Sequence, residues 1–301
     1  MMPIHAHKKP YKDFSDFLAE HFQCKMQKLA VNAGFTCPNR DGSKGYGGCT
    51  YCNNQTFNPQ YCSDGLGVTG QIMRGKEFFA RKYPNMRYLA YFQAYTNTHL
   101  DDVERLMCMY EEALSVDGVD GVIIGTRPDC MPPVLLERLA SLSWAMVEYG
   151  AESAHDATLE RVNRCHTWSE TVDAVRRTHD AGLPCGLHLI MGLPGETKEM
   201  MLETIDRVND LPVDTVKIHQ LQLVKGTKMA LDVERGLYDI PRFSAEEYLD
   251  LCVEILHRLR PSIALERFVS QSPPELLIYP RWNLKNYQFM NRLHARLMAD
   301  D

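Results

Sequence analysis

Two rhythms of apolar residues alternate along the chain. Short β-branched runs are separated by longer segments whose apolar positions recur every three or four residues. The short runs are Gln27 to Asn32 (QKLAVN), Met86 to Ala94 (MRYLAYFQA), Val119 to Gly125 (VDGVIIG), Trp144 to Ala151 (WAMVEYGA), Cys185 to Gly192 (CGLHLIMG) and Thr215 to Leu223 (TVKIHQLQL). Their near-continuous apolarity predicts strands buried on both faces. The longer segments predict helices at Val68 to Tyr83, Asp101 to Leu114, Pro132 to Leu142, Asp156 to Val162, Trp168 to Ala181 and Lys198 to Val208. Proline opens the third of these and Gly182 stops the fifth. Strand and helix alternate at the spacing of parallel crossovers, so the class is α/β. Consecutive right-handed units curl into a partial (β/α)6 TIM-like barrel, with an open doubly wound sheet as the alternative.

The flanks read differently. Tyr11 to Phe22 predicts an amphipathic helix, with Phe14, Phe17, Leu18 and Phe22 on one face. Beyond Leu223 the alternation stops. Ser244 to Leu259 and Gln288 to Met298 predict helices, and the prolines of the stretch between them forbid a long element. The expected organisation is an N-terminal helical segment (1–26), a core barrel (27–227) and a C-terminal extension packed on it (228–301).

Chemistry enters at the stretch GFTCPNRDGSKGYGGCTYCN, within a loop spanning residues 34–66. It carries Cys37, Cys49 and Cys52, separated by Gly42, Gly45, Gly47, Gly48 and Pro38. This composition makes neither helix nor strand, so only something bound by the thiolates is expected to fix its shape. Three thiolates suit zinc or an iron–sulfur cluster. A structural zinc would need Cys62 as fourth ligand, whereas a cluster with three cysteines keeps one iron open.

Composition narrows the setting. The chain has 301 residues, 45% hydrophobic and 24% charged, the balance of an ordinary globular protein. Ten cysteines and an N-terminus without an apolar run point to reduced thiols in the cytoplasm rather than a disulfide framework. No run is long enough to cross a membrane. A net charge of −6 gives no general attraction to nucleic acid, so an RNA site would be a local patch. Two patches qualify: Arg74, Lys76, Arg81, Lys82 and Arg87 with Phe78, Phe79 and Tyr83, and the tail's Arg281, Lys285, Arg292 and Arg296. Runs of this kind are more often a solvated face.

In a barrel of this type the functional groups sit at the C-terminal strand ends. Polar residues recur there: Gln93, Tyr95, Thr96 and Asn97; Thr126, Arg127 and Asp129; Glu152 and Ser153; His188 and Glu196; His219, Gln220 and Gln222. Each alone has a plain reading. His188 could be a core histidine, Glu152 a helix cap and Arg164 a surface residue.

Cys37, Cys49 and Cys52, with Tyr51 before the last, resemble the cluster loop of radical S-adenosylmethionine (SAM) proteins with a lengthened first gap. The segments YGAES, LERVNR, HLIMGLPGET, VKIHQLQLVKGT and PPELLIYPRW extend the resemblance, over nearly the whole chain, to the YhcC-like family. That family is related to the Elongator catalytic subunit and to coproporphyrinogen dehydrogenase-type cores. The resemblance implies that the three cysteines ligate a [4Fe-4S] cluster and that SAM completes the fourth iron. It implies SAM contacts at Tyr51, Gln93, Thr126, Arg127, Glu152, Arg164, His188, Gln220 and Gln222. The implied reaction is reductive cleavage to a 5′-deoxyadenosyl radical, oxygen-sensitive and fed by a donor such as flavodoxin or ferredoxin. The implied substrate is a tRNA base, a wobble uridine side chain; the alternatives are a small molecule such as a tetrapyrrole, or a zinc-loop interaction protein without catalysis. One departure stands out: Cys165 occupies a position where the family leads one to expect glycine.

Overall fold

The computed structural model describes residues 9–53, 59, 61–62, 65–80 and 86–300. Nine strands are present among them: β1 Met26–Val31, β2 Arg87–Phe92, β3 Val119–Thr126, β4 Ala145–Glu152, β5 Cys185–Met191, β6 Thr215–Gln220, β7 Leu223–Val224, β8 Ala264–Leu265 and β9 Leu277–Tyr279. The helices are α1 Phe14–His21, α2 Val68–Ala80, α3 Val103–Leu114, α4 Pro133–Leu139, α5 Asp156–Arg161, α6 Trp168–Asp180, α7 Lys198–Asn209, α8 Lys228–Glu234, α9 Ala245–Arg258 and α10 Asn286–Asp300. The predicted helix at Val68 to Tyr83 is described to Ala80, and its remaining residues lie outside the described ones.

Six strands pair in chain order, all parallel, and β8 adds a seventh beside β6. The six core units are those the apolar rhythm predicts. The seventh strand is not: at two residues it has no periodicity to read, and it lies in the stretch the prolines interrupt. The tail thus completes the main sheet as well as packing on it, and β7 and β9 form a separate antiparallel pair.

The sheet curls. Lys28 of β1 lies 2.5 Å from Glu266, which directly follows β8, so the two edges face each other across a lumen. Strand alternation then sorts side chains by face. Tyr88, Ala90 and Phe92 of β2, Val122 and Ile124 of β3, and Leu187 and Leu189 of β5 point outward into the main core against the helices. Leu89, Tyr91, Ile123 and Met146 point inward.

The lumen's lower end is closed by α1. Asp13 caps this helix with a reciprocal capping box to Asp16, which sets its start three residues later than the periodicity alone suggests. Phe17 and Leu18 are buried against Leu89, Ile123, Met146 and Ala264. Each such burial contributes about 1.5–3 kcal/mol. Leu265 donates its backbone N–H to Lys12, tying the plug to the last strand.

Candidate functional site

The upper end of the lumen opens into a cavity of about 200 Å³. Cys37, Cys49, Tyr51, Cys52, Gln93, Thr126, Arg127, Glu152, Arg164, His188, Gln220 and Gln222 all line it. The chain therefore brings the three cysteines and the nine implied SAM contacts to one place, with Tyr95, Thr96 and His219 beside them, whereas Asn97, Asp129, Ser153 and Glu196 do not line the cavity.

The cysteine loop carries a set of internal hydrogen bonds. Arg40 and Asp41 donate to the Cys37 carbonyl, Lys44 and Gly45 to that of Pro38, Gly48 to that of Asn39, and Cys52 to that of Cys49. Asp41 and Tyr46 form an isolated bridge. The loop is also pinned from outside. Thr50 donates to the Val162 carbonyl at 3.0 Å, and the Asn163 amide donates to the Gly48 carbonyl at 2.8 Å. The glycines provide the backbone freedom: Gly47 and Gly48 both have positive φ.

Polar groups face the sulfurs. Thr96 Oγ1 lies 3.0 Å from Cys37 Sγ. Asn39 Nδ2 donates to Cys49 Sγ at 3.3 Å and Arg164 Nη1 does so at 3.5 Å. Burial pushes the Cys37 thiol up, and burial together with the other two cysteines pushes Cys52 up to about 12. Any metal loading here must release protons. Cys62 is elsewhere: buried outside the cavity wall, its thiol donates to the Ala30 carbonyl at 3.0 Å.

The plain readings of several residues give way. Arg164 is buried, not on a solvated face. Its Nη2 donates to the Gly150 carbonyl at 2.5 Å, Glu152 stands 3.5 Å away, and its Nε is buried without a partner. Glu152 caps no helix, since His155 precedes α5. It sits at a register shift at the end of β4 with φ +68°, which turns it toward Arg164. Arg127 is also buried. It forms a two-point bond with Asp129, both distances 2.9 Å, and Nη1 has no partner. Burial alone would raise the Asp129 carboxyl, but Arg127 and Lys44 hold it well below the usual range. His188 bonds Glu148 at 2.6 Å.

The two glutamines and the basic patches have partners of their own. The amide of Gln220 exchanges both its bonds with the Ser270 backbone, and Gln222 bonds the Ser270 carbonyl and the Ser272 hydroxyl. Both glutamines line the cavity, but their polar ends strap the segment after β8 to β6. Of the two basic patches, Arg81, Lys82 and Tyr83 lie outside the described residues. Arg87 is paired with Asp120, and Arg292 and Arg296 are paired with Glu246.

At the base of the cavity, with Tyr91, Glu148 and Lys217 among its lining residues, lies a cluster that the sequence reading did not find. Lys28 bonds Glu148 at 2.6 Å, and Lys217 approaches Glu148 at 3.3 Å and Glu266 at 2.9 Å. Tyr91 OH accepts from Lys217 at 3.0 Å. Burial opposes ionisation of Glu148, yet Lys217 and Lys28 hold its carboxyl well below the usual range. Burial lowers His188, and burial with Arg267 lowers His219 strongly, so both rings are neutral.

The comparisons with known proteins agree with this geometry. A family model described as Radical SAM superfamily matches residues 34–208, and one described as Radical_SAM C-terminal domain matches residues 213–299. The chain belongs to the radical SAM superfamily and is one of its enzymes. Within it, the chain belongs to the YhcC-like family. It is 35% identical over 298 residues to YtqA of Bacillus subtilis, covering 98% of this chain and 92% of that protein. It is 35% identical over 275 residues to YhcC of Escherichia coli, covering 89% and 86%. A tRNA uridine(34) acetyltransferase of Methanocaldococcus jannaschii is 32% identical over 118 residues, 38% of this chain and 22% of that one. The solved structure of archaeal Elp3 from Methanocaldococcus infernus superposes with TM-score 0.66 at 19% identity, covering 92% of this chain and 63% of the other, and shows the shared fold. No helix among the described residues is long and apolar enough to cross a membrane.

Proposed function

We propose that Cys37, Cys49 and Cys52 hold a [4Fe-4S] cluster whose fourth iron takes SAM, and that the enzyme modifies a tRNA base, at the side chain of a wobble uridine. The observation that carries the cluster assignment is the donor set. Three thiols share one cavity, Thr96 stands beside one sulfur, and Asn39 and Arg164 donate to another. Hydrogen bonds of this kind tune cluster thiolates. Cys62, the candidate fourth ligand of a structural zinc, instead directs its thiol at the Ala30 carbonyl. When bound, the cluster and SAM supply a one-electron cleavage that yields a 5′-deoxyadenosyl radical.

The chain's own groups then have the work of binding and exclusion. Arg164 and Arg127 each carry a buried, unpartnered N–H on the cavity wall, suited to the carboxylate or ribose of SAM. Glu152 and His188 face the same space, as do Gln93 and Thr126, and Tyr51 contributes backbone beside the adenine. The cavity walls, with Leu221, Val224 and Ile190 among them, limit water and oxygen. A flavodoxin- or ferredoxin-type donor in the cytoplasm provides the electron. The tRNA assignment draws on the likeness to the uridine(34) acetyltransferase.

Protein reconstituted with iron and sulfide under anaerobic conditions should bind iron and, once reduced, form 5′-deoxyadenosine from SAM. Cys52→Ala should abolish both, and Cys62→Ala should keep its iron. Zinc in place of iron, or no 5′-deoxyadenosine, refutes the assignment. For the substrate, nucleoside mass spectrometry of tRNA from deletion and parent strains should show one modification lost. An unchanged profile removes the tRNA reading alone.

A further inference from the structure

The charge cluster of the lumen is not evenly matched. Glu148 and Glu266 are each bonded to both lysines, at 2.5 to 3.3 Å. Arg267, one residue beyond Glu266, lines the cavity and forms no ion pair among the described residues. Its Nε is buried without a hydrogen-bond partner, and its Nη2 donates to His219 Nδ1 at 3.4 Å. A guanidinium has no acceptor, so Nδ1 of the ring must accept, and the neutral ring carries its proton on Nε2. His219 lines the same cavity.

The position of Arg267 is built. Its carbonyl accepts from the Ile218 N–H at 2.9 Å, the Glu266 N–H bonds the Val216 carbonyl at 2.8 Å, and Gln220 grips Ser270. The backbone on both sides of the arginine is therefore tied to β6. A buried, unpartnered N–H on a half-buried guanidinium is costly unless something anionic completes it. Arg164 and Arg127, the other cavity arginines, already have Glu152 and Asp129 beside them.

We propose that Arg267, with the Nε2–H of His219, forms an oxyanion subsite in the lumen wall, separate from the SAM contacts assigned above, that takes a carboxylate or phosphate of the substrate. The inference rests on the reading of this cavity as the active site. It does not depend on the substrate being tRNA.

The test uses the full chain, reconstituted anaerobically with iron and sulfide and saturated with SAM, so that the cofactor's own carboxylate is already held. Inorganic phosphate and acetate are titrated separately by calorimetry into wild type, Arg267→Gln, Arg267→Lys and His219→Gln. One probe should bind the wild type, and Arg267→Gln should weaken it by about tenfold or more, with Arg267→Lys in between. Preference for phosphate points to a nucleotide-like substrate, and preference for acetate to a carboxylated one. Three results overturn the subsite: no binding of either probe to wild type, equal binding to wild type and variants, or a SAM dissociation constant that rises in Arg267→Gln as much as the probe's does. If Arg267→Gln loses its iron, Arg267→Lys and His219→Gln are read by the same criteria. Failure of the underlying reading shows separately, as wild type that neither holds iron nor forms 5′-deoxyadenosine.

Discussion

The two faces of a single strand, β4, differ in kind. Toward the helices it presents Ala145, Val147, Tyr149 and Ala151, all in the main core, and even the Tyr149 hydroxyl is satisfied there by Thr178 at 2.8 Å. Toward the lumen it presents Met146, which packs against the α1 plug, then Glu148, Gly150 and Glu152. The outward residues hold the sheet by burial and are interchangeable in kind. The inward ones step from apolar floor to charge cluster to cavity wall, each position fixed by partners on distant strands. Stability and chemistry are separated by alternation along one strand, not by region of the fold.

Removing one partner from the inward face should have the largest effect. Glu148→Ala leaves Lys28 and Lys217 short of a counter-charge in a buried setting, which costs about 3–5 kcal/mol. Urea unfolding measures the loss. A loss under about 1 kcal/mol would mean that the cluster is effectively solvated. The same carboxyl gives a pH signature. Its folded pKa is depressed, so its stabilisation is present above the unfolded value of about 4.3 and lost as pH falls below that. Between those limits the unfolded chain binds the extra proton, and stability rises with pH. Glu148→Gln should flatten the acid limb of the stability profile relative to wild type, and parallel limbs would contradict the depressed pKa. On the outward face, Leu187→Ala should cost about 2–5 kcal/mol through its cavity while leaving iron content per folded protein unchanged. A drop in iron content would show that the two faces are coupled.

The outward face is also the one a sequence discloses. Runs such as VDGVIIG and CGLHLIMG declare a buried strand locally, and six strands follow from them. The cavity's rim was legible for a related reason: strand ends are known positions once the strands are. The lumen cluster was not, because each member stands alone in its own run. Lys28 meets Glu148 120 residues later and Glu266 238 residues later, and no local pattern records those encounters. The available signal was negative: a Glu inside AMVEYGA and a Lys inside TVKIH are too costly to bury unpaired, so each implied a hidden partner. The loop's internal bonds run through backbone carbonyls and through Asn39 and Asn163, which spacing does not reveal.

A smaller effect is expected where the inward face carries no side chain. A Cβ on Gly150 would sit 2.5 Å from Arg164 Nη2 and 2.6 Å from Glu152 Oε1. Gly150→Ala must displace both groups at a cost of about 1–3 kcal/mol. Because Arg164 donates to Cys49 Sγ, SAM affinity should fall as well. Stability lost with SAM affinity intact would detach Arg164 from the site.

The smallest effect separates backbone strain from contact, at the one position where the chain departs from the glycine its family resemblance suggests. Cys165 has φ +58°, in the left-handed region. A side chain there costs roughly 1–2 kcal/mol relative to glycine. The thiol recovers little: its bonds to Asn163 are long, at 3.4 Å to Oδ1 and 3.7 Å to the carbonyl. Glycine would relieve the strain but enlarge the unfolded ensemble, offsetting about 0.5–1 kcal/mol of the gain. Cys165→Gly should therefore raise stability by roughly 0.5–1 kcal/mol, seen as a higher urea midpoint at unchanged slope. Cys165→Ala removes the sulfur while keeping the strain, so its midpoint should stay at or below that of wild type. If alanine stabilises as much as glycine, the sulfur, rather than φ, sets the cost at this position.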